Sequence, residues 1–456
     1  MKGSHVMRVF LYTTLILLYM LSQFIPHLFL SYTIGVIAVI TCLISAFHAR
    51  GLHRVTGFVF LVLGIFLFIY NDLEWHTFFL QFQSMLGLLS LFVVLPFINS
   101  LIRIGRYDKS LSQLLQDRVT RLTSLYKRSF LVCHFLGVFL NMAALPLLIQ
   151  SVKPSLHTMS RDDINQFFTK NLLRPYALCL TWSPMEVIVS RSIDITQAQY
   201  YMILPIVLGI AAIATGVDFV LSGRRYKEIP VSMPQTREVD LKKVIKKVAQ
   251  MLGMLFLFIV LVTITQQILG QGFLFSVVLL LVPFSIFWAA CLKKTKIFLS
   301  ATIPHWKVRV DGLANYFFMF LSAGLFVGVL AISGMLSFLE PLFQYAAETP
   351  VFLYLFIGAY FLVTAFIGFH PLISQTFLAE FLVPILPQVA TLPLAVVLVT
   401  CGLSTIMYSP FNLSVSLLSS ELKINPFRMA GWNVGYGVVY ILISIVVALG
   451  LEWAFY

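Results

Sequence analysis

Charge is scarce in this sequence. Asp, Glu, Lys and Arg make up 11% of its 456 residues, against about 25% in a soluble globular chain, which excludes a large core folded against water. Cysteine is scarce too: Cys42, Cys133, Cys179, Cys291 and Cys401 all lie in apolar runs, with no CxxC and no adjacent His pair. Neither a disulfide framework nor a zinc site is supported. There is also no HExxH, no GxSxG, no P-loop and no pair of intramembrane aspartates. The expectation is therefore no enzyme, no catalytic residue, no metal and no ATP-driven motor.

Hydrophobicity is abundant. Apolar residues reach 59%, aromatics 14% with 42 Phe, and the mean hydropathy is +0.93. An all-α polytopic membrane protein follows, with membrane lipid as its surroundings. The net charge of +13 does not describe a nucleic-acid surface, because the basic residues sit in short loops between apolar runs. Arg103 to Arg128, Arg224 to Lys247 and Lys293 to Arg309 form three such clusters, while the alternating loops carry Asp72 and Glu74, or Glu340 and Glu348. This is the positive-inside pattern. It implies a multi-pass protein of the cytoplasmic membrane with its amino terminus inside and its carboxyl terminus outside. Residues Met1 to Met7, with Gly3-Ser4-His5, read as a cloning remnant before a native start, and no cleavable signal is evident.

At about 20 apolar residues per span, spans fall near 9–25, 28–47, 55–71, 78–102, 129–152, 198–222, 247–267, 272–291, 313–338, 350–369 and 430–453, about 11 in all. Two further apolar segments, 171–195 and 391–424, contain a repeated motif. Trp182-Ser183-Pro184-Met185-Glu186-Val187 answers to Tyr408-Ser409-Pro410-Phe411-Asn412-Leu413, 226 positions later. Upstream, Pro146-Leu147-Leu148-Ile149-Gln150 answers to Pro371-Leu372-Ile373-Ser374-Gln375. A proline in a membrane helix removes an amide donor and frees carbonyls that lipid cannot satisfy. Matched interruptions in two halves mark a solute site, whereas a pair of plain kinks is the simpler alternative.

Counting spans from a cytoplasmic amino terminus, 28–47 runs inward and 247–267 outward, and every later pair is likewise opposed. The expected organisation is a tail and extra helix over 1–27, a first repeat over 28–222, a cytoplasmic linker over 223–246 and a second, inverted repeat over 247–456. The hairpin and broken helix fall at about 129–196 and about 350–425. Within the first half two arrangements stand: 129–152 crosses and 171–195 dips back, or 129–170 is the hairpin and 171–195 a broken helix. Residues 105–128 place Leu111, Leu114, Leu115, Val119, Leu122 and Leu125 at helical spacing among Arg118 and Arg121. That describes an amphipathic helix at the cytoplasmic surface, a connecting arm or a lipid anchor.

One extra helix followed by two inverted repeats, each with a re-entrant hairpin, a broken helix and an amphipathic arm, resembles the ion transporter superfamily and its divalent anion/sodium symporter branch. The likeness covers nearly the whole chain and is architectural. The tips read Asn141-Met142-Ala143-Ala144 and Thr364-Ala365-Phe366-Ile367-Gly368-Phe369-His370, without the Ser-Asn-Thr signature of the sodium symporters. The resemblance implies a secondary transporter of the elevator type, symport with sodium or protons, and a homodimer.

A helix broken at mid-membrane offers amide donors to anions at one half-helix and carbonyls to cations at the other. The substrate-binding candidates are Thr181, Ser183, Ser404, Thr405, Ser409 and Asn412 at the breaks, and Asn141 and Thr364 at the tips. Hydroxyls that bond back to their own helices are the alternative. Arg174, before Pro175, is a candidate grip for a carboxylate or phosphate, or else a snorkelling side chain. Glu186 is the leading proton-coupling candidate because an ionisable residue beside a break is expensive in lipid; the alternative is a structural carboxylate paired with Arg191 or Arg174. His370 is a second titratable candidate. Transport of a small anionic solute is the expected function, and a flippase for a lipid or lipid-linked phosphate is the competing one.

Overall fold

In the computed structural model, residues 2–107, 110–111, 115, 121–156, 159–226 and 241–455 are described, and every regular element among them is a helix. Twelve of these helical segments are long and apolar enough to cross a membrane. The chain is an all-α, multi-pass membrane protein.

The extra helix is α1 (Lys2–Ser22). The first half contains α2 (Leu28–His48), α3 (Gly51–Tyr70), α4 (Trp75–Gln81), α5 (Leu86–Ile104), α6 (Leu122–Leu140), α7 (Ala144–Val152), α8 (Arg161–Leu180), α9 (Val187–Thr196) and α10 (Tyr200–Arg225). The second half contains α11 (Leu241–Leu269), α12 (Phe273–Cys291), α13 (Thr295–Asp311), α14 (Ala314–Ser333), α15 (Glu340–Glu348), α16 (Pro350–Ile367), α17 (Pro371–Leu382), α18 (Thr391–Tyr408), α19 (Leu413–Leu422) and α20 (Pro426–Phe455). In both halves a long helix and a short one precede a broken helix and a final long span. Helices α9 and α19 are each ten residues long and 226 positions apart, and each ends on a left-handed residue, Gln197 (φ 57°) and Lys423 (φ 55°). The offset read from the Ser-Pro motifs therefore holds in the backbone to the end of the following helix.

The chain divides into two compact units. Unit 1 comprises Met1–Leu101, Leu261–Gln344 and Thr376–Pro384. Its centre is α14, which packs against α2 and α3. Small residues make this approach close: a Cβ on Gly57 would lie 2.6 Å from the Phe318 ring and one on Gly64 2.9 Å from Leu325. Tyr12 stacks on Phe317 at 4.0 Å and shares a hydrogen bond with Ser45 at 2.8 Å, fixing α1 to the same core. At one end of α1, Arg8 pairs with Asp311 at 2.7 Å.

Unit 2 comprises Ile102–Val260, Tyr345–Gln375 and Ile385–Tyr456, and holds both broken helices. Helix α6 begins at Leu122, seven residues before the span expected at 129–152. It ends where Asn141 adopts a positive φ of 52°, and α7 packs back against it. In the second half α16 ends at Gly368 (φ 107°), a conformation that favours glycine. Tyr360 then donates to the Ser374 carbonyl at 2.9 Å, tying the first turn of α17 to α16. The first half thus has a hairpin before its broken helix, and the second half has a turn at Gly368 and a short helix before its own. Helix α8 starts at Arg161, where the Ser160 hydroxyl accepts from the Asp163 N–H at 3.2 Å, so the polar stretch 161–170 is its first half rather than a hairpin leg. Residues 108–109, 112–114 and 116–120 of the amphipathic segment expected at 105–128, and residues 227–240 of the linker, lie outside the described residues.

Candidate functional site

Each break begins at its proline. Pro184 and Pro410 have no amide hydrogen and disfavour helical geometry in the residue before them, so α8 stops at Leu180 and α18 at Tyr408. The two turns then close in the same way: the Glu186 N–H donates to the Ser183 carbonyl and the Asn412 N–H to the Ser409 carbonyl, each at 3.1 Å. Glu186 and Asn412 become the amino-terminal caps of α9 and α19. Asn412 accepts the Ser414 N–H at 3.0 Å as the cap of its helix.

The tips meet the breaks. At the second, Ser409 donates to the Ala365 carbonyl at 2.8 Å, Phe366 stacks on Tyr408 with centroids 6.1 Å apart, and Gly368 lies against the Phe411 ring. At the first, Tyr176 of α8 donates to the Asn141 Oδ1, and Trp182 donates its indole N–H to His134 of α6 at 3.0 Å. The Trp182 carbonyl accepts from Tyr200 at 2.7 Å, so the first break is held from α6 and from α10.

The halves also interlock within unit 2. Gly402 of α18 faces Ile188 of α9 so closely that a Cβ would lie 3.1 Å from its methyl group. Gln375 of α17 donates to the Ile188 carbonyl at 3.2 Å and to Ser192 at 2.6 Å, tying α17 to the first broken helix. Its Oε1 is buried without a hydrogen-bond partner among the described residues.

Ser409, Asn412, Thr364 and Asn141 stand where the sequence put them, at a break, a cap or a tip. Thr181, Ser404, Thr405 and Thr364 donate their hydroxyls back to carbonyls of their own helices, at 2.7, 2.6, 2.6 and 2.9 Å, and the Ser404 oxygen also bonds the Tyr408 hydroxyl at 3.1 Å. Ser183 is buried and its hydroxyl makes no hydrogen bond with a described residue. His370 stands half-buried before α17 and accepts the Leu372 N–H at 3.3 Å.

Arg174 is a correction. Instead of facing a solute, its guanidinium bonds Asp218 at 2.5 Å, the Asn433 side chain at 2.9 Å and the Trp432 carbonyl at 3.2 Å. It also lies 4.4 Å over the Tyr436 ring. With three nitrogens and one ring face engaged, the residue is a buried tie between α8, α10 and α20. Glu186 is partnered by neither Arg174 nor Arg191: among the described residues its carboxylate has no ion pair. Sequence reasoning used Gln375 only as a repeat marker, and its motif, matched to Gln150, was the signal that pointed to it.

No protein-family model matches the chain, and no curated protein matches it by sequence. Among solved structures, it is similar to the YdaH transporter of Alcanivorax borkumensis, reported with an unusual topology: TM-score 0.58 and 13% identity over 88% of this chain and 99% of that one. The two share a fold.

Proposed function

We propose that this chain is a secondary active transporter of the cytoplasmic membrane, moving a small anionic solute by an elevator-type alternating-access mechanism. One observation carries the reading: two broken helices, 226 positions apart, stand in the same unit, each against the tip of its own hairpin. Broken helices put amide donors and free carbonyls at one depth, which serves a charged solute with few charged side chains. The YdaH fold supports a transporter, and the resemblance to the ion transporter superfamily supports inverted repeats, symport, a homodimer and unit 2 as the solute-bearing body.

Glu186 is the proposed coupling group. It caps α9 at the first break, its repeat mate is the neutral Asn412, and it has no ion-pair partner among the described residues. Such a carboxylate exchanges a proton or holds sodium as the solute binds. The test is solute counterflow and gradient-driven uptake in proteoliposomes, with pH and sodium gradients imposed separately. Glu186→Gln is expected to keep counterflow and lose gradient-driven accumulation; accumulation equal to that of the unaltered protein discards the coupling role.

A further inference from the structure

Arg191 lies on α9 about 7.5 Å beyond the break, at the usual rise of about 1.5 Å per residue. Its Nε is buried with no hydrogen-bond partner, and no ion pair or hydrogen bond joins its guanidinium to any described residue, Glu186 and Asp194 included. The contrast with Arg174, whose nitrogens are bonded to Asp218, Asn433 and Trp432, is complete. The surroundings of Arg191 add a second observation. Along α9, Val187 to Ser190, Ser192, Ile193, Ile195 and Thr196 are buried, while Glu186, Arg191 and Asp194 are half-buried and Gln197 is exposed. Helical geometry places Arg191 and Asp194, three positions apart, on one side of α9, and exposed Gln197 caps its end, so a polar, partly accessible ribbon lies along the helix beyond the break. The repeat mate of Arg191 is Leu417, so the second half has no counterpart to this charge.

A guanidinium nitrogen that has lost water without gaining an acceptor is unfavourable. A planar fork with unused donors fits the two oxygens of a carboxylate or phosphate. We propose that Arg191 binds the anionic group of the solute, by bidentate contact with an oxyanion, on the accessible ribbon of α9. This rests on the transport reading and moves the anion grip from Arg174 to a residue five positions past Glu186. A lipid phosphate offers the same oxygens as a free anion, and the test separates them.

The full chain, purified in detergent, is melted in succinate, citrate and inorganic phosphate against chloride at equal ionic strength. A parallel arm melts it in mixed micelles of phosphatidylglycerol against phosphatidylcholine. At least one oxyanion probe is expected to raise the unfolding midpoint, with Arg191→Gln weakening its half-saturation by about tenfold or more, near 1.4 kcal/mol, and Arg191→Lys by less. A response confined to the phosphatidylglycerol arm, with the same dependence on Arg191, assigns a lipid source. Should Arg191→Gln not fold, phenylglyoxal footprinting of the unaltered protein replaces it, with Arg191 modified and shielded by the probe. The site is overturned if no probe in either arm stabilises the protein, if Arg191→Gln responds as the unaltered protein does, or if no probe shields Arg191. Probe binding that needs Arg191 without counterflow of that probe sinks the transport reading and leaves the site standing. Counterflow untouched by Arg191→Gln does the reverse.

Discussion

Ser409 donates its hydroxyl to the carbonyl oxygen of Ala365 at 2.8 Å, across 44 positions, and so fastens the second break to the tip of its own hairpin. Its repeat mate Ser183 makes no such bond. Ser409→Ala removes a buried hydrogen bond and leaves the Ala365 carbonyl without that donor, a loss of about 1–3 kcal/mol. Ser183→Ala should cost less than about 0.5 kcal/mol, the range of changes that break nothing specific. Thermal unfolding ranks the two variants, and amide exchange over residues 364–369 should quicken only in Ser409→Ala. Equal effects in both would mean that the tip is held by packing alone.

The Asp311 carboxyl is held below the ordinary carboxylate range. Partial burial pushes it upward, but hydrogen bonds from His5 and Arg8, with the charge of Arg8, outweigh that push. A depressed folded-state value means that the pair contributes stability above the unfolded value, about 3.9, and loses it as pH falls through the lower folded value. Asp311→Asn should therefore melt below the unaltered protein at neutral pH, and the gap should close as pH drops beneath about 4. A gap constant from pH 7 down to about 3 would show that the ion pair does not anchor α1 to α13.

Most of the frame was legible in the sequence because the bilayer imposes a length on each span and forbids unsatisfied backbone between them. The register of the halves was legible as well, since Ser-Pro breaks are local events: the 226-position offset between Trp182 and Tyr408 reappears between Gln197 and Lys423. What the sequence could not assign was which charges pair. Arg174 finds Asp218 44 positions away and Asn433 259 positions away, so its apparent isolation beside Pro175 was a property of the string and not of the fold. The boundary of the first broken helix was missed because residues 161–170 are too polar to read as part of a span, although α8 runs through them. Conversely, Arg191 looked like a counter-ion for Glu186 because the two are five residues apart. That separation turns side chains about 140° from each other on a helix.

Arg174 and Asp218 supply the sharpest stability test. The pair is buried, with side-chain exposures of 7% and 0%, so removing one member strands the other away from water at a cost of about 3–5 kcal/mol. The two single losses should differ. Arg174→Met leaves Asp218 with a carboxylate that has lost its cation and leaves the Asn433 Oδ1 without its donor. Asp218→Leu leaves Arg174 still bonded to Asn433 and Trp432 and stacked on Tyr436. Arg174→Met should therefore be the more damaging, and Asp218→Asn, which keeps an acceptor for the guanidinium, the mildest. The double variant Arg174→Met with Asp218→Leu should recover much of the loss, because no charge is then left unpaired. Unfolding midpoints of the four variants in one detergent decide it. If the double variant falls by the sum of its parts, the two residues act independently and α8 is fixed to α10 by packing rather than by charge.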